Sequence, residues 1–196
     1  MPDYTGPLKE FERTVSRMAG EEAKREITEG IEEITNTSKP EEVALWVKNA
    51  MEKMDNALNE ETKMKIMTSL GHNCAEINKR PIMTAVKRRN KYDSLDDFLE
   101  AEEKRPPKGT RLEREGNTLH YYYTPSSYGP GLRCYCSLFR GLPEGETAPI
   151  TYCNCSKGFV EKYWQTILGE EVNVELIQST ISGAKECKFT IHLNPS

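Results

Sequence analysis

Lys104-Arg-Pro-Pro-Lys-Gly109 divides the sequence into two halves of different character. The two prolines remove backbone amide donors and disfavour helix in the residues before them, so a helix cannot continue through this segment. Before it, apolar residues recur three and four positions apart; after it, short runs alternate between apolar and polar residues. The sequence therefore predicts an α+β protein in which a helical region, residues 1–105, packs on a β-rich ligand- and metal-binding region, residues 106–196, in one compact unit.

The helical half contains several signals for helix starts. A highly charged helix is predicted over about residues 7–35. Ser38-Lys-Pro-Glu41 has the capping-box pattern, in which the serine side chain accepts from a free backbone amide and the glutamate reaches back. Asn59 and Ser94 each precede acidic residues, as N-cap residues do. These signals predict further helices that start near residues 38, 59 and 94.

The second half predicts an antiparallel sheet with one helix inserted between its strands. Strands are expected over residues 119–123, 132–139 and 148–153, a helix over 156–168 that Gly169 ends, and a hairpin over the last 25 residues. Alternation in the second strand would place Cys134 and Cys136 on one face.

Composition excludes several classes of protein. With 196 residues, of which 36% are hydrophobic, the chain can form a core without disulfides. It shows neither a signal peptide nor an apolar run of about 20 residues, so we expect no membrane partner, a cytoplasmic location, and six cysteines that are free thiols, metal ligands or redox groups instead of disulfides. The net charge of −4 argues against nucleic acid as a partner, and the basic cluster between Lys79 and Lys91 is interpreted as a solvated helix face.

Two Cys-x-Cys pairs carry the most informative chemistry. They are Cys134 with Cys136, and Cys153 with Cys155. If the strands that hold them paired, the four sulfur atoms would suit zinc or an iron–sulfur cluster. The alternative is that some of these thiols are small buried hydrophobic groups.

Three residues are candidates for catalysis. Cys155 stands at the start of a predicted helix, where free amides and the helix dipole would lower its pKa and make it a nucleophile or redox thiol. His72 and Cys74 could act as base and nucleophile, or as metal ligands. Two residues at this spacing on a helix point about 200° apart, however, so a core cysteine beside a surface or capping histidine is the alternative.

The stretch from Tyr152 to Val160, with Leu168-Gly-Glu-Glu-Val-Asn-Val-Glu-Leu176 and Ser182-Gly-Ala-Lys-Glu-Cys-Lys-Phe189, resembles the end of vinyl-reductase-type ligand-binding domains. Those are sensor domains of regulators that respond to aromatic hydrocarbons. The sequence is also similar to the bacterial family named for 2-aminothiazoline-4-carboxylate hydrolase. The resemblance covers about 45 residues well.

The resemblance implies a structural zinc ion. Cys153 and Cys187 match its first and last ligands, whereas Ser179 stands where a third cysteine would be and Leu176 where a glutamate would be. Substitute ligands would come from Cys155, Cys134 and Cys136.

An apolar pocket between the helices and the sheet is also implied by the resemblance. Its lining would include Tyr121, Tyr123 and Trp164, although core packing explains the same residues.

These observations lead to a small-molecule-binding or sensory module with a cysteine-based structural metal site. The expected ligand is a small apolar or aromatic molecule, and the output would pass through a protein partner or a homodimer. The alternative is a hydrolase of a small cyclic amide or thiazoline-like substrate that uses a cysteine nucleophile or metal-bound water. A third interpretation is a protein-interaction subunit that binds no ligand.

Overall fold

The computed structural model describes residues 3–129 and 131–193 and confirms the predicted α+β class. Five helices come first: α1 (Thr5–Ile27), α2 (Pro40–Ala57), α3 (Glu60–Ile77), α4 (Lys79–Arg89) and α5 (Leu95–Lys104). They are followed by β1 (Thr110–Glu115), β2 (Thr118–Tyr123), α6 (Asn154–Leu168), β3 (Asn173–Gln178) and β4 (Cys187–His192). As predicted, one helix, α6, is inserted between the strands of an antiparallel sheet.

Two of the predicted helix starts are confirmed by their capping hydrogen bonds. The Asn59 side chain accepts from the amide of Thr62 at 2.9 Å, and the Ser94 hydroxyl accepts from the amide of Asp97 at 3.0 Å. Both bonds satisfy amides that a helix start would otherwise leave free. At both positions, the capping residue identified in the sequence therefore begins a helix, as predicted.

The predicted capping box at Ser38 is displaced by one residue. The residue before α2 is Lys39, whose amide donates to the Glu42 carboxylate at 3.0 Å, while the Ser38 hydroxyl accepts from the amide of Thr35. The proline at position 40 is suited to the first helical position, because that position needs no amide donor.

The first helix is shorter than the predicted span of residues 7–35. It ends at Ile27, and a short 3-10 turn follows over Ile31–Glu33. Gly30 precedes that turn with φ 77°, a backbone conformation that favours glycine. The chain therefore reverses before α2 instead of extending α1.

The sheet has the strand order β1-β2-β4-β3, and every neighbouring pair is antiparallel. Tyr121 of β2 lies opposite Leu112 of β1 and Phe189 of β4. The predicted pairing of the last two strands is confirmed. The sequence did not indicate β1, because charged residues dominate it and Leu112 is its one buried residue.

The predicted strands over residues 132–139 and 148–153 are wrong. The first segment is irregular and ends in a 3-10 turn, Ser137–Phe139; the second forms a 3-10 turn, Ile150–Cys153. Leu138 and Phe139 are consecutive and both buried, which a strand with one buried face would not allow. The two Cys-x-Cys pairs therefore do not lie on neighbouring strands.

The buried apolar residues form two groups, and each contains residues from both sides of position 105. One group joins α1, α2 and α3 to the segments around Phe139 and Cys153. The other joins α4, α5 and α6 to the sheet. The division of the chain at residue 105 therefore stays a prediction.

Helices α3 and α6 approach closely at two glycines. A Cβ atom on Gly71 would lie 2.1 Å from the carbonyl oxygen of Cys155, and one on Gly158 would lie 2.4 Å from that of Thr68. No larger side chain fits at either position without moving the backbone. The two glycines thus allow α6 to lie directly against α3, with its other side toward the sheet.

Candidate functional site

Helix α6 connects two groups of side chains that are distinct in chemistry. The aromatic cluster lies between the later turns of α6 and the sheet and consists of Tyr121, Tyr123, Tyr163, Trp164 and Phe189. The thiol cluster lies around the start of α6 and consists of Cys74, Cys134, Cys136, Cys153, Cys155 and Cys187. All six cysteines are free.

The aromatic cluster is held by ring contacts around Tyr121. Its ring centroid lies 5.6 Å from that of Tyr123, 5.9 Å from that of Tyr163 and 5.7 Å from that of Trp164. The ring of Tyr123 in turn lies 5.2 Å from that of Phe189. The three residues predicted to bind ligand are therefore together, and their role as ligand contacts stays a prediction.

Sequence reasoning did not place Tyr163 or Phe189 in a site. The signals were present, because Tyr163 belongs to the apolar stripe of α6 and Phe189 alternates with other buried residues of β4. Which of these inward-facing residues meet Tyr121 depends on the strand register and on the position of α6 over the sheet.

Burial keeps the tyrosines of this cluster neutral. It raises the pKa of Tyr121 and that of Tyr123 well above the ordinary value. Burial also raises the pKa of Tyr163, although the nearby Arg88 guanidinium opposes this. Arg88 itself binds both carboxylate oxygens of Glu102, at 2.8 and 2.9 Å. The cluster is thus uncharged, with one ion pair at its edge.

Trp164 has a polar atom without a partner. Its indole Nε1 is buried, and none of the described residues accepts a hydrogen bond from it. The other tryptophan, Trp46, donates to the carbonyl oxygen of Glu29 at 3.1 Å. Buried indole N–H groups usually find an acceptor, so the unpartnered donor of Trp164 marks the aromatic cluster as unusual.

The thiols make hydrogen bonds with hydroxyl groups. The Sγ atom of Cys153 lies 2.8 Å from the hydroxyl of Ser179, and the Tyr152 hydroxyl donates to Cys136 Sγ at 3.0 Å. These bonds join the turn before α6 to the irregular segment around Cys136 and to the segment after β3. They are interactions of neutral groups, as a buried environment favours.

The thiols are also held in their protonated form. Burial raises the pKa of Cys153 to about 12 and that of Cys155 and Cys134 well above the ordinary value; neighbouring thiols add to each effect. The pKa of Cys155 is therefore raised and not lowered as expected from its place at the start of α6, and desolvation by burial is the main cause. A protonated thiol is a poor nucleophile.

His72 and Cys74 do not form a nucleophile–base pair. Both lie within α3, which continues to Ile77, so their side chains point in different directions. His72 Nε2 lies 3.6 Å from a Glu161 carboxylate oxygen. The side-chain amide of Asn78 donates to Cys74 Sγ at 3.4 Å. Burial raises the pKa of Cys74 as well. Neither residue meets the requirements of the proposed catalytic role.

The prediction of zinc is wrong. Within residues 3–129 and 131–193, no three His, Cys, Asp or Glu side chains are grouped so that they could hold a metal ion. The resemblance implied a third cysteine ligand at position 179, but this residue is Ser179, whose hydroxyl forms a hydrogen bond with the Cys153 thiol. Leu176 offers no donor, and the thiols of Cys134, Cys136, Cys155 and Cys187 do not complete a ligand set.

Two surface depressions lie away from both clusters. One lies beside α5 and includes Tyr92 and Lys104; the other lies between the end of α1 and α2 and includes Ile27 and Trp46. Neither is lined by a residue of the aromatic or the thiol cluster. None of the described helices is both long enough and apolar enough to cross a membrane.

A family model matches residues 9–196, nearly the whole chain. This protein belongs to the Family of unknown function (DUF6144). No curated protein matches the chain. The resemblance to vinyl-reductase-type domains and to the 2-aminothiazoline-4-carboxylate hydrolase family is corrected by this match, and the similar solved structures belong to neither group.

Those solved structures are H-NOX proteins. A mutant H-NOX domain from Shewanella oneidensis in its Fe(II)CO ligation state has 13% identity and a TM-score of 0.47, with 97% of this chain and 98% of that chain covered. An H-NOX protein from S. oneidensis in the Fe(II)NO state has 12% identity and a TM-score of 0.44, with 96% and 98% covered. Likeness at this level supports no statement about ligands of this chain.

The three histidines belong to neither cluster. His120 lies on β2 beside Thr190, and His192 on β4 lies 3.4 Å from Glu175, on the face of the sheet opposite Tyr121. His72 Nε2 is buried without a hydrogen-bond partner among the described residues, and the nearest Glu161 carboxylate oxygen lies 3.6 Å away.

Proposed function

We propose that this chain is a small-molecule-binding or sensory module whose ligand binds in the aromatic cluster. The observation that carries the proposal is the buried, unpartnered indole N–H of Trp164. A buried donor without an acceptor costs roughly 1–3 kcal/mol, and a ligand with a hydrogen-bond acceptor would recover part of this free energy. The ligand class is a small apolar or aromatic molecule with one acceptor.

The surroundings of Trp164 favour an uncharged ligand. The neighbouring rings are neutral, burial raises the pKa of the Cys155 thiol, and the nearby Arg88 guanidinium is already paired with Glu102, so no unpaired charge is available to compensate an ionised ligand. Small-molecule sites are commonly lined by apolar and aromatic side chains with a few polar groups that set orientation. The indole N–H would be such a group.

Ligand entry requires part of the structure to move. The irregular segment of residues 131–136 lies at one side of the aromatic cluster, where its Tyr135 ring is 5.4 Å from that of Tyr123. The Tyr135 hydroxyl holds the segment in place by donating to the carbonyl oxygen of Gly109 at 2.5 Å. Displacement of this segment would couple binding to a change at the surface, as a sensor requires.

The hydrolase alternative has less support. Burial raises the pKa of the Cys155 and Cys74 thiols, and His72 Nε2 hydrogen-bonds no thiol among the described residues. A nucleophile and its base must lie within hydrogen-bond reach of each other, and neither candidate thiol meets this condition. The observations therefore favour binding over catalysis.

The indole N–H resonances provide the test. The chain has two tryptophans, so a ¹H–¹⁵N spectrum shows two indole signals, and the Trp46→Phe variant assigns them. Titration with acetophenone, a ring with one acceptor, is expected to shift the Trp164 signal downfield in a saturable way. Ethylbenzene, of similar size without an acceptor, should bind about tenfold more weakly, the effect of one buried hydrogen bond.

The Trp46 signal is the internal control, since its N–H is already bonded to Glu29. A Trp164→Phe variant that stays folded should lose the preference for acetophenone over ethylbenzene. Equal, non-saturating shifts of both indole signals, or no shift at all, would contradict the proposal.

A further inference from the structure

The junction of α3 and α4 presents an unusual surface. Residues 77–91 contain six basic and no acidic side chains, although the whole chain has a net charge of −4. We define the α4 patch as the exposed residues of this stretch that carry cations or large apolar groups, namely Ile77, Lys79, Arg80, Met83, Lys87 and Lys91.

The cations of the α4 patch have no ion-pair partners among the described residues. No carboxylate of that part of the chain lies within 4.0 Å of the Lys79, Arg80, Lys87 or Lys91 side chains, whereas Arg88 on the same helix pairs with Glu102. Elsewhere many basic residues are paired, such as Lys48 with Glu146 and Lys63 with Asp55. The positive charge of the patch is therefore not neutralised within the protein.

Two large apolar side chains are exposed in the middle of these cations. Ile77 is 81% exposed and Met83 is 46% exposed. Lys79, Met83 and Lys87 are four residues apart along α4, so they share one face of the helix with the methionine in the centre. Protein–protein interfaces commonly have an apolar centre and a polar or charged rim, and methionine is enriched in them.

We propose that the α4 patch docks an acidic segment of another protein, with apolar side chains of that segment on Met83 and Ile77. Charge complementarity argues for an acidic partner. A lipid surface fits less well, because the apolar face of α4, with Ile82 and Ala85, is buried in the protein. Nucleic acid fits less well, because exposed apolar groups occupy the centre and no aromatic platform is present on α4.

Helix α4 also contacts the aromatic cluster. Arg88 lies on the buried side of α4 and its guanidinium reaches the Tyr163 hydroxyl as well as Glu102. A partner on the exposed side of α4 would therefore sit one helix away from Trp164. The docking proposal itself does not depend on ligand binding and can succeed or fail separately.

A model peptide tests the patch directly. The probe is a fluorescein-labelled helical peptide of Glu and Leu in i, i+4 spacing, and a matched peptide replaces each Glu with Lys. Fluorescence anisotropy should show binding of the Glu peptide, weakened by salt, and none of the Lys peptide. The variant Lys79→Glu/Arg80→Glu/Lys87→Glu should bind at least about tenfold more weakly, as reversal of interfacial charges predicts.

A second triple variant controls for net charge. Lys9→Glu/Arg25→Glu/Lys185→Glu changes three exposed lysines or arginines outside the α4 patch and alters the net charge equally. It should retain binding, and Met83→Ser should weaken it about threefold. Equal losses in both triple variants would overturn the proposal. So would binding of phosphatidylserine vesicles or duplex DNA by the patch without binding of the Glu peptide.

Discussion

The two ends of α6 differ in how their surroundings are built. The later turns pack Tyr163 and Trp164 on a regular sheet whose register aligns Tyr121 with Phe189. The first turn packs Cys155 against α3 and against segments that are neither helix nor strand. Repeated backbone pairing positions the aromatic cluster, whereas close contacts at single residues position the thiol cluster.

The two ends also differ in how their polar atoms are partnered. In the thiol cluster, Cys153 and Cys136 each have a hydroxyl partner. In the aromatic cluster, the indole N–H of Trp164 has none. This difference is why we place the ligand on the aromatic side.

The largest expected effect concerns the aromatic end. Phe189→Ala should lower the free energy of unfolding by about 3–5 kcal/mol, because the side chain is fully buried and its removal leaves a cavity. Ile177→Ala on the edge strand β3, where the side chain is 48% exposed, should change it by less than about 0.5 kcal/mol. Urea unfolding measures both. If the two variants lost a similar amount of unfolding free energy, the buried contacts of Phe189 would not stabilise the protein more than those of a half-exposed residue on the edge strand.

The next effect concerns the thiol end. Gly71→Ala should destabilise the protein by about 3 kcal/mol, since its Cβ would lie 2.1 Å from the Cys155 carbonyl oxygen and the helices would have to separate. The control is Gly129→Ala, where the backbone is extended and nothing lies within 4 Å of the added atom. If thermal or urea unfolding shows both variants to be equally stable, α3 and α6 are not in close contact at Cys155.

The third effect is a dependence of stability on pH at the thiol end. The pKa of Cys153 is about 12 in the folded protein against an ordinary value of 9.0, so its stabilising contribution is complete below pH 9 and is lost as the pH rises toward 12. Over that window, the unfolding free energy of the wild type should fall by about 1.4 kcal/mol per pH unit more than that of Cys153→Ala. Urea midpoints between pH 8 and 11 measure this. Parallel curves would show that Cys153 ionises in the folded protein as in the unfolded chain.

Much of the architecture could be predicted from local patterns. Capping residues Asn59 and Ser94 mark helix starts because they satisfy amides within the same turn. The alternation in β4 predicts which of its residues face inward, whereas Tyr121, Tyr123 and Trp164 were grouped only by the family resemblance. Each of these signals acts over a few residues, or over one regular element, and needs no knowledge of the remaining chain.

The segments around the cysteines could not be predicted in the same way. Alternating residues at 132–139 suggested a strand, but the segment packs on α2 and has no strand partner among the described residues. The Cys-x-Cys spacing suggested a ligand set, yet the distances between these thiols depend on segments without regular structure. The zinc prediction therefore depended on a strand pairing that does not exist.

The sequence alone determined the change from helix to strand at the two prolines, the position of α6 between the strands and the inward face of the sheet. Only the tertiary structure decided that burial raises the pKa of Cys153 and Cys155, that Cys155 lies beneath α3 and that the Trp164 indole has no acceptor among the described residues. The reason is physical: propensity and periodicity act along the chain, while desolvation and hydrogen bonding depend on which distant residues surround a group.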